Sequence, residues 1–316
     1  MTKKMTAVLV HQLGPDSALS IEDVERPAPG AGEVLLRVHA VGINPLDWST
    51  RYGGALAGLL RDQLPAILGW DVSGVVEELG AGVSTLSPGD EVFGMIRLPN
   101  AGGGYAEYVA APAAQLTAKP VTVDHVHAAA VPIVGLTAWQ ALFDTADLQP
   151  RQQVLIHGGA GGVGHIAVQL AKWHGARVTA TASARNDRFL RQLGAGEIVD
   201  YTAQPFEQRV RDVDVVIETV GKDTLERSYG VLRREGVLVS LVDPVDEDRA
   251  AAAGVRALFM GVQHNTEQLA RLAELIDEGV VRPVVQEVFP LQDVASAHQI
   301  SQQRHVRGKL VLSVRD

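Results

Sequence analysis

Cysteine is absent from this chain of 316 residues. The absence excludes disulfide bonds, a thiolate nucleophile and every zinc site that is built on sulfur ligands. A metal ion could be held only by imidazole and carboxylate groups. The sequence is therefore compatible with either an oxidising or a reducing compartment.

Positive charge is also scarce. The chain has 28 Lys and Arg residues against 37 Asp and Glu residues, a formal net charge of −9, and no long basic run. Because proteins that bind nucleic acids carry clustered positive charge, we expect no nucleic acid partner.

Long hydrophobic runs are missing as well. The most apolar region, residues 128–143, is interrupted by Pro132, Gly135 and Gln140, and it is shorter than the roughly 20 residues that a membrane span needs. The beginning of the sequence lacks the apolar core and the small-residue cleavage site of a signal peptide. We therefore expect no membrane partner and a cytoplasmic location.

The length exceeds the roughly 250 to 300 residues at which a single hydrophobic core stops growing, so two domains are expected. Hydrophobic residues make up 46% of the chain and charged residues 21%, proportions typical of folded, soluble proteins. In the first third, short apolar runs alternate with turn residues, which predicts mostly antiparallel β structure. From about residue 124, strand and helix patterns alternate, which predicts a doubly wound parallel sheet. The predicted domains are a β-rich substrate domain (1–124), a Rossmann domain (125–262) and a segment that returns to the first domain (263–316).

A glycine-rich loop carries the clearest chemistry. Gly159, Gly161 and Gly164 have the G-x-G-x-x-G spacing, and the loop follows an apolar strand and precedes a helical pattern. Such a loop brings the backbone close to a pyrophosphate, whose charge lies at the start of the helix. The alternative is a turn whose glycines serve only close packing. The predicted cofactor-binding residues of the loop are Gly159, Ala160, Gly161, Gly162, Val163 and Gly164.

The residues after the second strand of this βαβ unit indicate which cofactor binds. An acid there would accept the ribose hydroxyls of NAD, whereas a 2′-phosphate needs donors and positive charge. The first acid, Asp187, comes late, while Ser183 and Arg185 precede it and Arg188 follows. The pattern favours NADPH. The alternative is that both arginines are solvated residues at the start of a helix.

Several ordered motifs follow one another along the chain. They lie at residues 42–47 with Arg51 and Gly53, 65–74, 88–92, 104–109, 135–138, in the glycine loop, and at Gly308-Lys309. Together they resemble the medium-chain dehydrogenase/reductase superfamily, and within it the zinc-free quinone oxidoreductase branch, over essentially the whole chain. The resemblance implies the α/β class, with a Rossmann doubly wound parallel sheet domain plus a β-rich GroES-like substrate domain, and a homodimer paired through residues 255–260.

The zinc-dependent alcohol dehydrogenases of the same superfamily indicate which residues a catalytic zinc ion would need. They ligate zinc through a Cys where this sequence has Asn44, through a His where it has Trp70, and through a Cys near Pro132-Ile133. We therefore predict no metal. Without a Lewis acid, the expected small-molecule substrates are quinones and α,β-unsaturated carbonyls, which delocalise the charge that hydride addition creates.

The resemblance also implies the remaining site residues. Asn44 would orient the substrate oxygen or a water, with Asp47 and Tyr52 on the same segment as further catalytic candidates. The alternatives to these functional roles are structural: a turn cap for Asn44, a buried helical threonine for Thr137 and ordinary packing for Tyr201. The predicted cofactor-binding residues beyond those already named are Thr137, Tyr201, Leu241 and Lys309.

The identity of a proton donor is open, because relatives often carry a tyrosine where this chain has Ala55, and Tyr52 is out of register. Solvent would then supply the proton. Two other functions compete. An enoyl-thioester reductase would need a basic rim for its substrate, and Arg51, Arg61 and Arg97 are too scattered to establish one. A cofactor-binding sensor would keep NADPH without turnover.

Overall fold

The computed structural model describes residues 3–14, 19–54 and 56–315. These residues form sixteen strands and ten α-helices. The strands are β1 (Lys4–Val10), β2 (Leu19–Glu25), β3 (Glu33–Ile43), β4 (Ala66–Ile67), β5 (Asp71–Leu79), β6 (Glu91–Met95), β7 (Tyr108–Pro112), β8 (Thr117–Ala118), β9 (Gln153–Ile156), β10 (Arg177–Ala182), β11 (Glu197–Asp200), β12 (Val213–Glu218), β13 (Leu232–Ser240), β14 (Arg256–Phe259), β15 (Val285–Pro290) and β16 (Lys309–Ser313). The helices are α1 (Pro45–Arg51), α2 (Ala57–Leu60), α3 (His125–Ala129), α4 (Pro132–Trp139), α5 (Gly162–Trp173), α6 (Asp187–Leu193), α7 (Asp223–Ser228), α8 (Glu247–Ala253), α9 (Thr266–Asp277) and α10 (Val294–Gln302).

The chain divides into two compact units. The first contains residues 1–133, 264–279 and 283–316, and the second contains residues 134–263 and 280–282. The predicted domain boundaries stay a prediction. One difference is that α3 belongs to the first unit, because Ala129 and Ala130 pack against Ala40 of β3 and Val311 of β16.

The first unit is built on β structure. Its larger sheet has the order β15-β16-β3-β5-β6-β8, with β7 also paired to β3, and a smaller sheet has the order β2-β1-β4. Most pairs are antiparallel, as the sequence predicted, and β15 pairs with β16 in parallel. The sequence pattern missed β2, β4, β8 and β15. The strands β2 and β15 are largely exposed and therefore lack an apolar run, and β4 and β8 have only two residues each.

The second unit holds a six-stranded sheet of order β11-β10-β9-β12-β13-β14, in which every neighbouring pair is parallel. The predicted doubly wound sheet is confirmed. Buried apolar residues of β9, β12 and β13, including Leu155, Val216 and Leu238, form its core. The chain order reverses between β9 and β12. Ligands of such sheets bind at the carboxyl ends of the strands beside this reversal.

None of the helices in the three described ranges is long and apolar enough to cross a membrane.

Candidate functional site

The glycine loop follows β9 at the carboxyl edge of the parallel sheet. Gly158 has a φ of +62°, a conformation that other residues rarely adopt. A Cβ atom on Gly159 would lie 2.8 Å from Ala180 Cβ, and one on Gly164 would lie 2.3 Å from the Gly158 oxygen. The glycines therefore do serve close packing. Because they have no side chains, nothing at these positions covers the backbone of the loop.

The twelve-residue helix α5 begins within this loop, at Gly162. Its N-cap, Gly161, has no side chain, and no side-chain cap satisfies the first turn. The amino end of a helix carries unpaired N–H groups and a partial positive charge, so it attracts an anion. A bare loop before an uncapped helix fits the pyrophosphate of a dinucleotide. The residues that would hold it are those from Gly159 to Gly164.

The predicted 2′-phosphate residues lie at the same edge of the sheet. Ser183 and Arg185 follow β10, and Arg188 is exposed on α6. Asp187 does not oppose a phosphate, because its carboxylate accepts two hydrogen bonds from Arg191, at 2.9 and 3.2 Å. Arginine beside a hydroxyl suits a phosphate better than a ribose hydroxyl.

The other predicted cofactor residues of the second unit are spread over three elements. Tyr201 directly follows β11, and about half of its surface is exposed. Leu241 directly follows β13 and donates its backbone N–H to the Glu218 oxygen at 3.0 Å. Both therefore lie at the carboxyl edge that carries the glycine loop. Thr137 is a mostly buried residue of α4.

In the first unit, α1 begins at the carboxyl end of β3 with a capping box. Asn44 is the N-cap and Pro45 the first helical residue, a position that proline favours. The backbone N–H of Asn44 donates to Asp47 Oδ2 at 2.6 Å. Asn44 therefore does act as a cap before Pro45, the alternative role considered for it above. Asp47, which accepts the bond from its backbone, is buried.

The side chain of Asn44 takes part in a second network. Lys309 Nζ donates to Asn44 Oδ1 at 2.7 Å and also to the Ile43 oxygen. Asn44 Nδ2 donates to Asp71 Oδ2 at 2.9 Å, and the Ile133 N–H donates to Asp71 Oδ1 at 2.8 Å. Asn44, Asp47, Asp71 and Lys309, all buried, are called the Asn44 cluster below.

The cluster contains two carboxyl groups and one ammonium group. Burial raises the pKa of Asp47 to about 7 and that of Asp71 to about 6, while the charge of Lys309 opposes both shifts. Burial lowers the pKa of Lys309, and the two carboxylates oppose that shift. Each charge therefore depends on the others, since a buried charge without a partner is costly.

Two further polar residues lie beside the cluster and were missed. Tyr105 is buried, its hydroxyl lies 3.0 Å from His298 Nε2, and burial together with Asp47 raises its pKa. Tyr105 stands in the Gly-Tyr-Ala-Glu-Tyr motif, which could have signalled it. His298 lies on α10, 193 positions further along the chain, and no motif marks it.

Tyr52 is separated from the cluster. It is the C-cap of α1, its side chain is exposed, and the Arg51 guanidinium lies 4.7 Å from its ring centre. Ala55 lies outside the described residues. Within the described ranges, no group of three or more His, Asp or Glu side chains could hold a metal ion. His125 and His127 lie at the start of α3, and His127 contacts the helix cap Asp124.

Two family models match the chain. One is described as an alcohol dehydrogenase GroES-like domain and matches residues 30–121, and the other is described as a zinc-binding dehydrogenase and matches residues 193–312. The first match confirms the predicted GroES-like domain.

Curated relatives match over most of their length. A protein named NAD(P)H oxidoreductase RTN4IP1, mitochondrial, from Danio rerio is 36% identical over 89% of this chain and 84% of its own. A 2-haloacrylate reductase from Burkholderia sp. is 33% identical over 98% of both chains.

Solved structures share the whole fold. A quinone oxidoreductase from Coxiella burnetii is 39% identical with a TM-score of 0.94, and the match covers 99% of this chain and 100% of that one. The Escherichia coli quinone oxidoreductase complexed with NADPH is 29% identical with a TM-score of 0.88, over 98% of this chain and 99% of that one.

The residues after β10 generate a prediction on cofactor preference. Replacing Arg185 with alanine should weaken NADPH binding roughly tenfold or more and leave NADH binding nearly unchanged, because a lost charge-assisted pair costs about 1.5 to 3 kcal/mol. Fluorescence titration of both cofactors measures this, with Arg211→Ala, at another exposed arginine of the same unit, as control. Equal dissociation constants for NADPH and NADH in the unmodified protein would contradict it.

The Asn44 cluster generates a prediction on pH. The folded chain keeps the Asp47 proton up to about pH 7, whereas an unfolded chain releases it near pH 4. Between those values the folded state binds more protons, so the ionisation of Asp47 lowers the free energy of unfolding as pH rises. The Asp47→Asn variant lacks this loss. Its unfolding free energy minus that of the wild type should grow by roughly 2 to 4 kcal/mol from about pH 4 to about pH 8.

Urea denaturation across that pH range measures the difference. The control is Asp62→Asn, which changes an exposed carboxyl group and should give a difference that stays flat. A flat difference for Asp47→Asn would mean that Lys309 holds Asp47 ionised throughout the range.

Proposed function

Since this chain belongs to the quinone oxidoreductase-like branch of the medium-chain dehydrogenase/reductase superfamily, we propose that it is an NADPH-dependent oxidoreductase that reduces quinones or α,β-unsaturated carbonyls without zinc. The observation that carries the zinc-free assignment is the hydrogen bond from the Lys309 ammonium to Asn44 Oδ1. Asn44 stands where zinc-dependent relatives have a cysteine ligand. A positive charge bound at that position would repel a zinc ion.

When bound, NADPH supplies a hydride, and the protein contributes binding and orientation. Residues 159–164 would hold the pyrophosphate. The N–H groups of Gly159 and Gly161 are already donated to the Thr181 and Gly158 oxygens, so the backbone N–H groups of Ala160, Gly162 and Val163 would bind it, and Ser183 with Arg185 would bind the 2′-phosphate. A substrate that delocalises charge onto its own oxygen needs no Lewis acid.

Asn44 acts as a positioning residue in this proposal. Its amide is committed to Lys309 and Asp71, which supports a role in holding the end of β3 and the start of α1 rather than in donating to substrate. Asp47 supports the same turn through the backbone N–H of Asn44. Tyr52, at the exposed end of α1, is the candidate for contact with substrate.

The enoyl-thioester alternative is weaker. Of the arginines considered for its basic rim, Arg51 is buried, and Arg97 donates to Glu33 at 2.5 Å and to the Ala110 oxygen at 2.6 and 3.0 Å. Neither is placed to receive the phosphates of coenzyme A. The cytoplasmic location stays a prediction, and one relative that is 36% identical is named mitochondrial.

A substrate screen tests the proposed reaction. NADPH oxidation should be fast with a quinone or an enone, slower with an enoyl thioester, and unchanged after treatment with a chelator. With 4-deuterated NADPH and an enone, the label should appear on the β-carbon of the product. A label on a carbinol carbon would indicate carbonyl reduction. Turnover that disappears with chelation and returns with zinc would contradict the zinc-free assignment. Binding without turnover would favour the sensor.

The edge strand β14 supports a homodimer. It ends the parallel sheet of the second unit, and about half of the surface of Phe259 is exposed. Uncovered apolar edges favour pairing with another chain. Light scattering at micromolar concentration should therefore give about twice the chain mass of 33.6 kDa, and Phe259→Glu should shift the protein toward the monomer. The exposed apolar residue Val121 serves as the control site, through Val121→Glu. A monomeric wild type would contradict the proposal.

A further inference from the structure

His157 is a buried histidine at the root of the glycine loop, and the proposed function gives it no role. It directly follows β9, and its backbone is held on both sides. Its N–H donates to the Ile217 oxygen at 3.0 Å, and its oxygen accepts from Thr219 Oγ1 at 2.8 Å. The ring contacts that of Phe206, with ring centres 4.5 Å apart. Both ring nitrogens have hydroxyl partners.

These partners belong to one chain of hydrogen bonds. The Gly158 N–H donates to Thr181 Oγ1 at 3.2 Å, and Thr181 Oγ1 lies 3.1 Å from His157 Nδ1. His157 Nε2 lies 3.0 Å from Ser228 Oγ, and Ser228 donates its proton to the Thr224 oxygen at 2.7 Å. This chain of hydrogen bonds therefore runs from Gly158, directly before Gly159 of the glycine loop, to α7.

The direction of each bond in the chain follows from the last one. The single hydroxyl hydrogen of Ser228 is donated to the Thr224 oxygen, so Ser228 Oγ must accept a hydrogen bond from His157 Nε2–H. Burial, followed by the charge of Arg227, lowers the pKa of His157 to about 3, so the ring is neutral and its Nδ1 has no proton. Nδ1 then accepts a hydrogen bond from the Thr181 hydroxyl. Each group in the chain donates once, and the Thr181 oxygen is left to accept from the loop.

Thr181 holds two successive residues of the loop. Its hydroxyl accepts from the Gly158 N–H, and its backbone oxygen accepts from the Gly159 N–H at 3.0 Å. Gly158 is the residue with a φ of +62° at which the loop leaves β9. A rotation of the Thr181 hydroxyl would release Gly158, and the bond to His157 fixes that rotation.

We infer that His157 is a positioning residue for cofactor binding, which sets the start of the pyrophosphate loop by holding the Thr181 hydroxyl against Gly158. This inference rests on the proposed binding of NADPH by the loop. The competing interpretation is that His157 only fills space beside Phe206.

Three substitutions at residue 157 separate the two ring nitrogens. His157→Asn keeps an acceptor in place of Nδ1, His157→Gln keeps a donor in place of Nε2, and His157→Leu removes both. Fluorescence titration of each variant gives its dissociation constant for NADPH. His157→Leu should raise that constant at least tenfold, and His157→Asn should restore much of the loss because it retains the bond toward the loop. His157→Gln should remain close to His157→Leu.

Thr181→Val tests the same chain with a substitution that nearly preserves volume. It should weaken NADPH binding to the same degree, and the double variant with His157→Leu should be no weaker than either single variant, because residues of one network are not additive. If His157→Leu does not fold, Thr181→Val with His157→Asn still tests the inference. At saturating NADPH, the kcat of these variants should differ from that of the wild type by less than threefold, because the hydrogen-bond chain positions only the cofactor loop.

Phe206→Leu is the matched control. It disturbs packing against the same ring and leaves every bond of the chain in place, so it should lower the melting temperature of the free protein without changing the dissociation constant. Equal weakening by Phe206→Leu, or a His157→Leu variant that binds NADPH within twofold of the wild type, would overturn the inference while leaving the proposed function intact. Failure of the unmodified protein to bind NADPH would overturn both.

Discussion

The Asn44 cluster of the first unit depends on the hydrogen bonds of the buried Lys309 ammonium group. An ammonium group loses several kcal/mol of hydration when it is buried, and only well-placed partners offset that loss. Here the partners are the Asn44 side chain, the Ile43 oxygen and the nearby charges of Asp47 and Asp71. These groups come from β3, α1 and β5, so one charge at the start of β16 ties the last strand of the chain to the segment that forms the site.

In the second unit, the buried polar groups beside the glycine loop are neutral and hydrogen-bonded to one another. A pyrophosphate already carries negative charge, so the loop needs bare backbone N–H groups at a helix start. Bare backbone is mobile unless something fixes it. The chain from Gly158 through Thr181 and His157 to Ser228 supplies that constraint. Because every donor in it has an acceptor, the buried polar groups impose little desolvation cost.

Both arrangements are consistent with the proposed reaction without zinc. The position at which zinc-dependent relatives use a cysteine is occupied by an asparagine that is hydrogen-bonded to an ammonium group. In the proposed reaction, the substrate must then delocalise the charge that hydride addition creates onto its own oxygen. The protein would contribute a loop for the cofactor and a cluster in which buried polar groups are hydrogen-bonded to one another.

The sequence by itself determined the fold class, the parallel sheet, the glycine loop and the placement of Asn44 and Asp47 on one segment. These features depend on residues within a few positions of each other, so spacing and periodicity record them. Only the tertiary structure decided that Lys309 meets Asn44, 265 positions away, that Tyr105 meets His298, and that His157 links Thr181 to Ser228. Such contacts form when distant segments pack together, and a partner far along the chain leaves no periodic trace in the local sequence.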